Sequence, residues 1–340
     1  MQKIEEDMKA ATRRLWELCF EDSSDFMDLY FAMRYKDDLN VALKKNDEWV
    51  SALQIIPYEM TLGSRLLDVA YLSGVCTHPD FRKQGLMRAL LERTHRRLFD
   101  DGYVLSTLIP AESWLFGCYA VSGYVPLFDY TYTVERPSSV ADGLIISDYR
   151  QNNEGVFAYF DRKMKERLFC IQHSKEDFDV ILADLYLSKG HLWVARRATE
   201  VVGLALGTPE TVSCCIKELL ADDVEVQKSL ITWACSVCRS ETVEWIRPVQ
   251  NSSKAHSLGM LRIICVQKVL DVYAASHPEQ TCCFRLTDKE ILENNGCFEL
   301  KDGECVRLTE SCIDAEEMDV VQLAEYLWGE EHPYMSLMLN

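Results

Sequence analysis

The first part of the chain alternates between helix-like and strand-like patterns of apolar residues. Apolar positions recur every three or four residues over 4–20 and again over 24–34, which predicts two amphipathic helices. Shorter apolar runs separated by turn residues follow and predict a series of strands. These predicted strands lie at residues 40–44, 49–62, 66–76 and 103–109, and a last one ends at Glu135.

The stretch LSGVCTHPDFRKQGLMRALL, residues 72–91, joins a predicted strand to a predicted helix through a basic loop. The apolar run before it is short and partly β-branched, as in a buried strand. Pro79 cannot continue a strand ladder, so the strand ends before it. From Leu86 onward the leucines fall on one face of a helix and the arginines elsewhere.

The loop between this strand and helix has the composition of a phosphate cradle. The first turn of a helix has unpaired N–H groups and a favourable dipole for an anion, and Gly85 allows close approach to the backbone. Arg82 and Lys83 add positive charge. Neither the Gly-Lys-Ser/Thr of a nucleotide P-loop nor a G-x-G-x-x-G pattern is present here. A basic helix turn on a solvated surface is the alternative interpretation.

Residues 114–124, WLFGCYAVSGY, form a second element of interest. The pattern predicts a short helix that ends at Gly123, with Tyr124 opening the next strand. Tyr119 lies on the helix and is a candidate functional residue, although a helical tyrosine is more often part of the core or surface.

Residues 137–257 repeat the element order of the first region after a boundary rich in proline, serine and glycine. Predicted helices cover 149–172, 178–188 and 226–238, and predicted strands cover 191–196, 199–206 and 212–218. The connection equivalent to the basic loop is acidic, LLADDVE at 219–225, and would repel a pyrophosphate. We therefore expect a degenerate repeat that binds no cofactor.

The remaining region, residues 258–340, predicts a smaller α/β domain. Predicted helices cover 266–275 and 318–328, and predicted strands cover 281–286, 296–301 and 304–308. The chain ends in the apolar segment HPYMSLMLN, unlike the polar termini of most domains. This composition predicts a buried tail.

Composition narrows the possible partners. The chain has 340 residues, a hydrophobic fraction of 48% and a net charge of −18, so it is long enough for two or three domains and too apolar for disorder. The negative charge disfavours nucleic acid and anionic membranes and favours cationic small molecules, or it serves solubility. No apolar run is long enough for a membrane span.

The 14 cysteines do not indicate a disulfide scaffold, because the chain is large and its amino-terminal segment lacks an apolar signal core. We expect reduced cysteines in a cytoplasmic protein, and no metal site. The lone C-x-x-C at Cys235 and Cys238 leaves zinc or redox chemistry as a weak alternative.

The motif Arg82-Lys83-Gln84-Gly85-Leu86-Met87 resembles the Arg/Gln-x-x-Gly-x-Gly/Ala loop of the Gcn5-related N-acetyltransferases (GNAT), although Met87 departs from the small residue usual there. Tyr119 and Tyr124 resemble the Tyr-x-x-x-Gly-Tyr/Phe element of the same enzymes. The whole chain is similar to the enhanced intracellular survival family. This resemblance implies an α/β fold with two tandem GNAT mixed-sheet domains, at 1–136 and 137–257, and a sterol-carrier-like α/β domain at 258–340.

The resemblance implies acetyl-CoA as co-substrate, amine acetylation and hexamers. It assigns Tyr119 as general acid and the terminal α-carboxylate, contributed by Asn340, as general base. The residues that it places at the cofactor are Val75, Cys76, Thr77, Arg82, Lys83, Gln84, Gly85, Leu86, Met87 and Arg88.

The chemistry of direct acetyl transfer agrees with these roles. An alkyl ammonium, with a pKa near ~10.4, must lose a proton before it attacks, and a buried carboxylate is a stronger base than an exposed one. Five alternatives stay open: a covalent route through Cys76 or Cys118, a histidine base, a non-catalytic acetyl-CoA sensor or scaffold, a lipid carrier, and a soluble α/β protein of unrelated function. The histidines considered are His78, His95 and His332, each expected in a turn or on the surface.

Overall fold

The computed structural model describes residues 7–63, 65–149, 155–211, 213–249, 254–309 and 315–339. Contacts divide the chain into two compact units. Unit 1 comprises Met1–Phe128 and Leu258–Glu331, and unit 2 comprises Asp129–Ser257 and His332–Leu339. The segment predicted as a third domain thus falls mostly within unit 1.

Helices and strands follow the predicted order through the first region. They are α1 (Met8–Cys19), α2 (Ser24–Met33), β1 (Asn40–Lys45), β2 (Glu48–Leu62), β3 (Arg65–Thr77), α3 (Leu86–Asp100), β4 (Leu105–Leu108), α4 (Leu115–Ala120) and β5 (Val125–Glu135). Short 3-10 turns occupy Asp37–Leu39 and Pro79–Phe81. The Ser23 hydroxyl accepts a hydrogen bond from the Phe26 amide at 3.2 Å and caps α2.

The second region contains more strands than its pattern predicts. Its elements are β6 (Leu144–Asp148), α5 (Val156–Lys165), β7 (Ile171–Gln172), α6 (Lys175–Leu187), β8 (His191–Arg197), β9 (Glu200–Pro209), β10 (Cys214–Ala221), α7 (Val224–Cys238) and β11 (Val243–Arg247). The sequence pattern does not predict strands β6 and β11. The single long helix predicted at 149–172 is wrong for its described residues, since only α5 and the short β7 occupy them, and 150–154 lie outside the described part.

The last region begins with another strand that the sequence misses. Its elements are β12 (His256–Ile263), α8 (Val266–Ser276), β13 (Cys282–Thr287), β14 (Gly296–Lys301), β15 (Glu304–Leu308), β16 (Glu316–Asp319) and α9 (Val320–Trp328). A four-stranded sheet has the order β15-β14-β13-β16. Strand β16 pairs in parallel with β13, so the unpredicted strand closes one side of this sheet.

The main sheet of unit 1 has the order β1-β2-β3-β4-β12. Strands β1, β2 and β3 pair antiparallel, and β3 then pairs in parallel with β4. Strand β12 pairs antiparallel with β4, from Met260 opposite Leu108 to Ile263 opposite Leu105. A strand from late in the chain therefore completes the sheet that begins near the amino terminus.

Unit 2 repeats this arrangement. Strand β9 pairs antiparallel with β10, which pairs in parallel with β11 after the helix α7. Strands β6 and β8 extend the sheet beyond β9, and residues of β5 pair antiparallel with β11 on its other side. The mixed α/β architecture with a repeated sheet agrees with the predicted fold class.

The tail His332–Leu339 packs within unit 2. Arg167 and the fully buried Glu218 form a bidentate ion pair at 2.7 and 2.9 Å, and the Ser336 hydroxyl donates to the same carboxylate at 2.7 Å. Tyr334 lies under the Arg167 guanidinium and is 2% exposed. The predicted burial of the tail is confirmed for these residues, and Asn340 lies outside the described residues.

A buried cation joins the carboxyl-terminal part of unit 1 to the turn after α4. Arg262 is 1% exposed and forms two hydrogen bonds to Asp288, at 2.9 and 3.1 Å. It also donates to the Ser122 carbonyl at 2.9 Å. A Cβ at Gly123 would lie 1.8 Å from the Arg262 guanidinium, and the positive φ of +83° also favours glycine there.

Arg262→Ala should lower the free energy of unfolding by about 3–5 kcal/mol, because it leaves the buried Asp288 carboxylate without its cation. Urea denaturation of the full chain measures the loss. Arg285→Ala is the matched control, since Arg285 and its partner Glu317 form an exposed ion pair. The Arg285→Ala control should change the free energy of unfolding by about 1 kcal/mol or less. Equal stabilities of the two variants would contradict this account of the buried pair.

Candidate functional site

A β-bulge shapes the end of β3. Ala52 pairs with Cys76 and Gln54 with Ser73, so two residues of β3, Gly74 and Val75, lie opposite one residue of β2. Gly74 has φ +60°, and a Cβ there would lie 2.2 Å from the ring of Trp16. Only glycine therefore fits this bulge without displacing the indole.

Strands β3 and β4 pair over only a short length. The parallel register runs from Val69 opposite Leu105 to Tyr71 opposite Thr107. The bulge and Thr77 lie beyond this paired segment on β3, which continues its pairing with β2 up to Ser51 opposite Thr77. The bulge thus places backbone of residues 74–75 next to the point where the parallel pair ends.

The basic loop after β3 is exposed and held by its own side chains. His78 accepts a hydrogen bond from the Asp80 amide at 3.2 Å and caps the short 3-10 turn. Arg82 Nε donates to the Thr77 carbonyl at 3.2 Å, and Gln84 bonds to Lys45. The loop therefore keeps Arg82 close to the end of β3.

Helix α3 begins without a side-chain cap among the described residues. Gly85, its N-cap, has φ +76°, and nothing lies within 4 Å of the position that a Cβ would occupy. In unit 2 the equivalent helix α7 is capped by Asp223, whose carboxylate accepts from the Val226 amide at 2.8 Å. That amide bond and Arg197 keep the pKa of Asp223 below its ordinary value. The space at the first amide groups of the helix, where an anion would bind, is thus filled by a carboxylate in unit 2 and open in unit 1.

Tyr119 lies in the same apolar cluster as two residues of the predicted cofactor set. Val75 and Met87 pack against this cluster, which brings the bulge, the start of α3 and Tyr119 together. Burial raises the pKa of the Tyr119 hydroxyl above its usual value, so it stays protonated at neutral pH. No described residue forms a hydrogen bond with this hydroxyl.

Tyr124 joins a buried polar network behind Tyr119. Its hydroxyl lies 2.7 Å from Ser106 Oγ and 3.0 Å from His95 Nε2, and His95 Nδ1 lies 2.6 Å from Glu290. Burial lowers the pKa of His95 despite the opposing Glu290 carboxylate. The expectation of a turn or surface position is wrong for His95, which is fully buried and structurally bonded.

The remaining candidate residues do not belong to the apolar cluster that contains Tyr119. His332 lies in unit 2, 3.1 Å from Asp129 Oδ2. The side chain of Cys76 packs in a different apolar cluster, with Leu15 and Ala52, and Cys118 is exposed. Arg88 pairs with Glu92 one turn into α3. The assigned base at Asn340 lies outside the described residues.

Little in the local sequence predicts the bulge or the polar network. Gly74 inside an apolar strand was the available signal, because an isolated glycine there suggests a bulge or a close backbone approach. The partners Glu290 and Arg262 lie far along the chain from His95, and no local pattern connects them.

The described cysteines are free thiols. Across the ranges that the structure describes, no group of three or more His, Cys, Asp or Glu side chains is arranged to hold a metal ion. Cys238 of the C-x-x-C lies 2.9 Å from Cys214, Sγ to Sγ. No helix in the described residues is long and apolar enough to cross a membrane.

The amino-terminal part of the chain matches a known domain family. Residues 1–126 match the acetyltransferase (GNAT) domain family. N-acetyltransferase Eis of Mycobacterium tuberculosis (strain ATCC 25177 / H37Ra) and of Mycobacterium bovis (strain BCG / Pasteur 1173P2) are each 38% identical to this chain over 75 residues. That match spans 22% of this chain and 18% of the length of these relatives.

Solved structures resemble the chain over most of its length. Eis1 from Mycobacterium abscessus has a TM-score of 0.73 at 12% identity, covering 94% of this chain and 86% of its own. A Gcn5-related N-acetyltransferase from Anabaena variabilis has a TM-score of 0.74 at 17% identity, covering 92% and 85%. A probable N-acyltransferase from Enterococcus faecalis has a TM-score of 0.77 at 13% identity, covering 93% and 86%.

At such identities these structures support the fold alone. The sterol-carrier-like assignment of the carboxyl-terminal region stays a prediction. Residues 1–126 thus match the acetyltransferase (GNAT) domain family, and a segment of 75 residues is similar to the Eis N-acetyltransferases.

Proposed function

We propose that this protein transfers the acetyl group of acetyl-CoA directly to a primary amine of a cationic small molecule or a lysine-like side chain. The observation that carries the proposal is the position of an uncapped helix start beside a bulged strand in the domain that matches acetyltransferases. These two features supply backbone donors for a pyrophosphate and for a thioester carbonyl, respectively.

The pyrophosphate would bind where β3 turns into α3. The free amide groups at the start of α3 and the dipole of its 15 residues favour an anion, and Gly85 leaves space for it. Arg82 and Lys83 are exposed next to these amides and add formal charge. Gln84, Leu86, Met87 and Arg88 would complete the contact, with Met87 limiting how closely the backbone is approached.

The thioester carbonyl would accept a hydrogen bond from backbone N–H groups near the bulge, at Val75, Cys76 or Thr77. As the amine attacks, negative charge develops on the carbonyl oxygen, and a preorganised donor stabilises it. The bulge supports this role because it interrupts the regular ladder between β3 and β2 at Gly74 and Val75.

Tyr119 would protonate or hydrogen-bond the departing thiolate of coenzyme A. Its pKa is raised by burial, so the hydroxyl carries its proton through the whole neutral range. A free hydroxyl within the apolar cluster that also contacts Val75 and Met87 is available to a ligand at the same place.

The general base would be the α-carboxylate of Asn340. Met335 and Leu339, in the tail that leads to it, are buried. Burial raises the pKa of a carboxylate above the ~3.5 of a free terminus and makes it a better base for an ammonium group.

The acetyl acceptor is proposed from the net charge of the chain, and the compartment and oligomeric state from the family resemblance. A net charge of −18 suits a cationic amine better than nucleic acid or an anionic membrane. We further propose a cytoplasmic protein that assembles as a homo-oligomer, by analogy with hexameric relatives. A non-catalytic acetyl-CoA sensor is the alternative, and turnover distinguishes the two.

Release of coenzyme A from acetyl-CoA, measured against a panel of cationic amines, should depend on the amine and on a free carboxyl terminus. An untagged protein should turn over, whereas removal of Asn340 or a carboxyl-terminal tag should abolish turnover and leave acetyl-CoA binding intact. An amino-terminally tagged protein is the control. Binding without release in any sample would favour the sensor, and full activity without Asn340 would remove the terminal base from the mechanism.

Tyr119→Phe should lower turnover by about 100-fold or more, because the proton donor to the leaving thiolate is lost. The affinity for acetyl-CoA, measured by calorimetry, should stay nearly unchanged. Tyr103→Phe, a half-buried tyrosine of the same unit, is the control and should keep wild-type turnover. A Tyr119→Phe enzyme as fast as this control would exclude the proposed acid.

The double substitution Arg82→Ala and Gly85→Asp should weaken acetyl-CoA binding by at least about tenfold, or about 1.4 kcal/mol. The aspartate places a carboxylate where the pyrophosphate would bind, as Asp223 does in unit 2. Arg96→Ala, at the other end of α3, is the control. Unchanged calorimetric affinity in the double variant would move the pyrophosphate away from this loop.

A further inference from the structure

Two cysteines meet beside the basic loop of unit 1. Cys19 ends α1, and Cys76 lies one residue before the end of β3. Cys19 packs against the apolar cluster that contains Cys76. Cys19 Sγ lies 3.3 Å from the Thr77 carbonyl oxygen, and Arg82 Nε donates to that same oxygen at 3.2 Å. The thiol pair and the loop cation therefore share one backbone group.

The two sulfur atoms differ in ionisation. The neighbouring Cys76 thiol and the Arg82 guanidinium lower the pKa of Cys19 below its ordinary value, against the effect of burial. The neighbouring Cys19 and burial raise the pKa of Cys76 well above its ordinary value. Ionisation is therefore easier at Cys19 than at Cys76, and the thiolate is the nucleophilic form of a cysteine.

Access to the two sulfur atoms also differs. Cys19 is partly exposed, whereas Cys76 is 4% exposed and packs against Leu15 and Ala52. A small oxidant from solvent would therefore reach Cys19 first, and Cys76 would react only with its neighbour.

We propose that Cys19 and Cys76 form a peroxide-sensitive dithiol whose disulfide weakens cofactor binding at the adjoining loop. The Cys19 thiolate attacks one peroxide oxygen, the O–O bond breaks, and hydroxide leaves to take up a proton. The Cys76 thiol then attacks the sulfenic sulfur, an S–S bond forms, and the sulfenic oxygen leaves as water with the Cys76 proton. Two thiols are oxidised by two electrons, and the peroxide is reduced to two water molecules.

The disulfide would act on groups that the proposed function places at the cofactor, and in this the inference rests on that function. An S–S bond of ~2.05 Å is much shorter than a contact between thiols, so the end of β3 would be drawn towards α1. Val75 and Thr77 flank Cys76 and would move with it. Arg82 would also lose the thiolate next to it, and its position in the loop would change.

The test compares full-length wild-type protein with Cys19→Ser and Cys238→Ser, each reduced or treated with hydrogen peroxide. Peptide mapping without reductant detects the disulfide, and calorimetry measures acetyl-CoA affinity. Cys238→Ser is the matched control, because it removes the other close thiol pair of the described residues, Cys214 and Cys238.

Peroxide should link Cys19 to Cys76 in the wild type and in the Cys238→Ser control, and weaken acetyl-CoA binding at least about tenfold, reversibly with dithiothreitol. Cys19→Ser should bind acetyl-CoA like the reduced wild type before and after peroxide. Absence of the linked peptide, an unchanged affinity in linked protein, or an equal loss in Cys19→Ser would each overturn the proposal. A reduced wild type that bound no acetyl-CoA would instead overturn the proposed function, and the peptide map would still decide whether the disulfide forms.

Discussion

The buried pair of Arg262 and Asp288 is the interaction on which unit 1 most depends. A guanidinium that is 1% exposed is tolerated only because carboxylate and carbonyl oxygens surround it. Burial opposes ionisation of Asp288, yet Arg262 and several amide donors keep the pKa of its carboxyl below the ordinary value. Because Arg262 also holds the turn at Ser122, a strand from late in the chain fixes where α4, and hence Tyr119, ends.

The two units share an arrangement of strands and helix but differ in the residue that caps the helix. Both have a bulge in the strand that precedes the equivalent helix, at Gly74 in β3 and at Lys217 in β10. Glycine opens one helix, whereas Asp223 opens the other and satisfies its amide groups internally. A carboxylate in that position would both replace and repel a phosphate, and this difference between the two caps needs no change of fold.

Most of the regular elements, and the fold class, could be predicted because periodicity and turn residues act locally. The basic loop at 82–87 and the acidic connection at 219–225 could likewise be recognised from local composition. Strands β6, β11, β12 and β16 were missed because each depends on a partner strand that no local pattern reveals: β12 forms part of unit 1 through Met260 and its neighbours opposite β4. His95 was placed at the surface for the same reason, since its partner Glu290 lies 195 residues away.

The site also depends on how the sheet separates its two faces. Successive residues of a strand point to opposite sides, so Val75 packs with Tyr119 and Met87 while Cys76 packs with α1. One face thus provides an apolar wall beside a protonated tyrosine, and the other buries the Cys76 thiol against α1. The alternation of the strand therefore keeps the Cys76 sulfur on the face of the sheet opposite Tyr119.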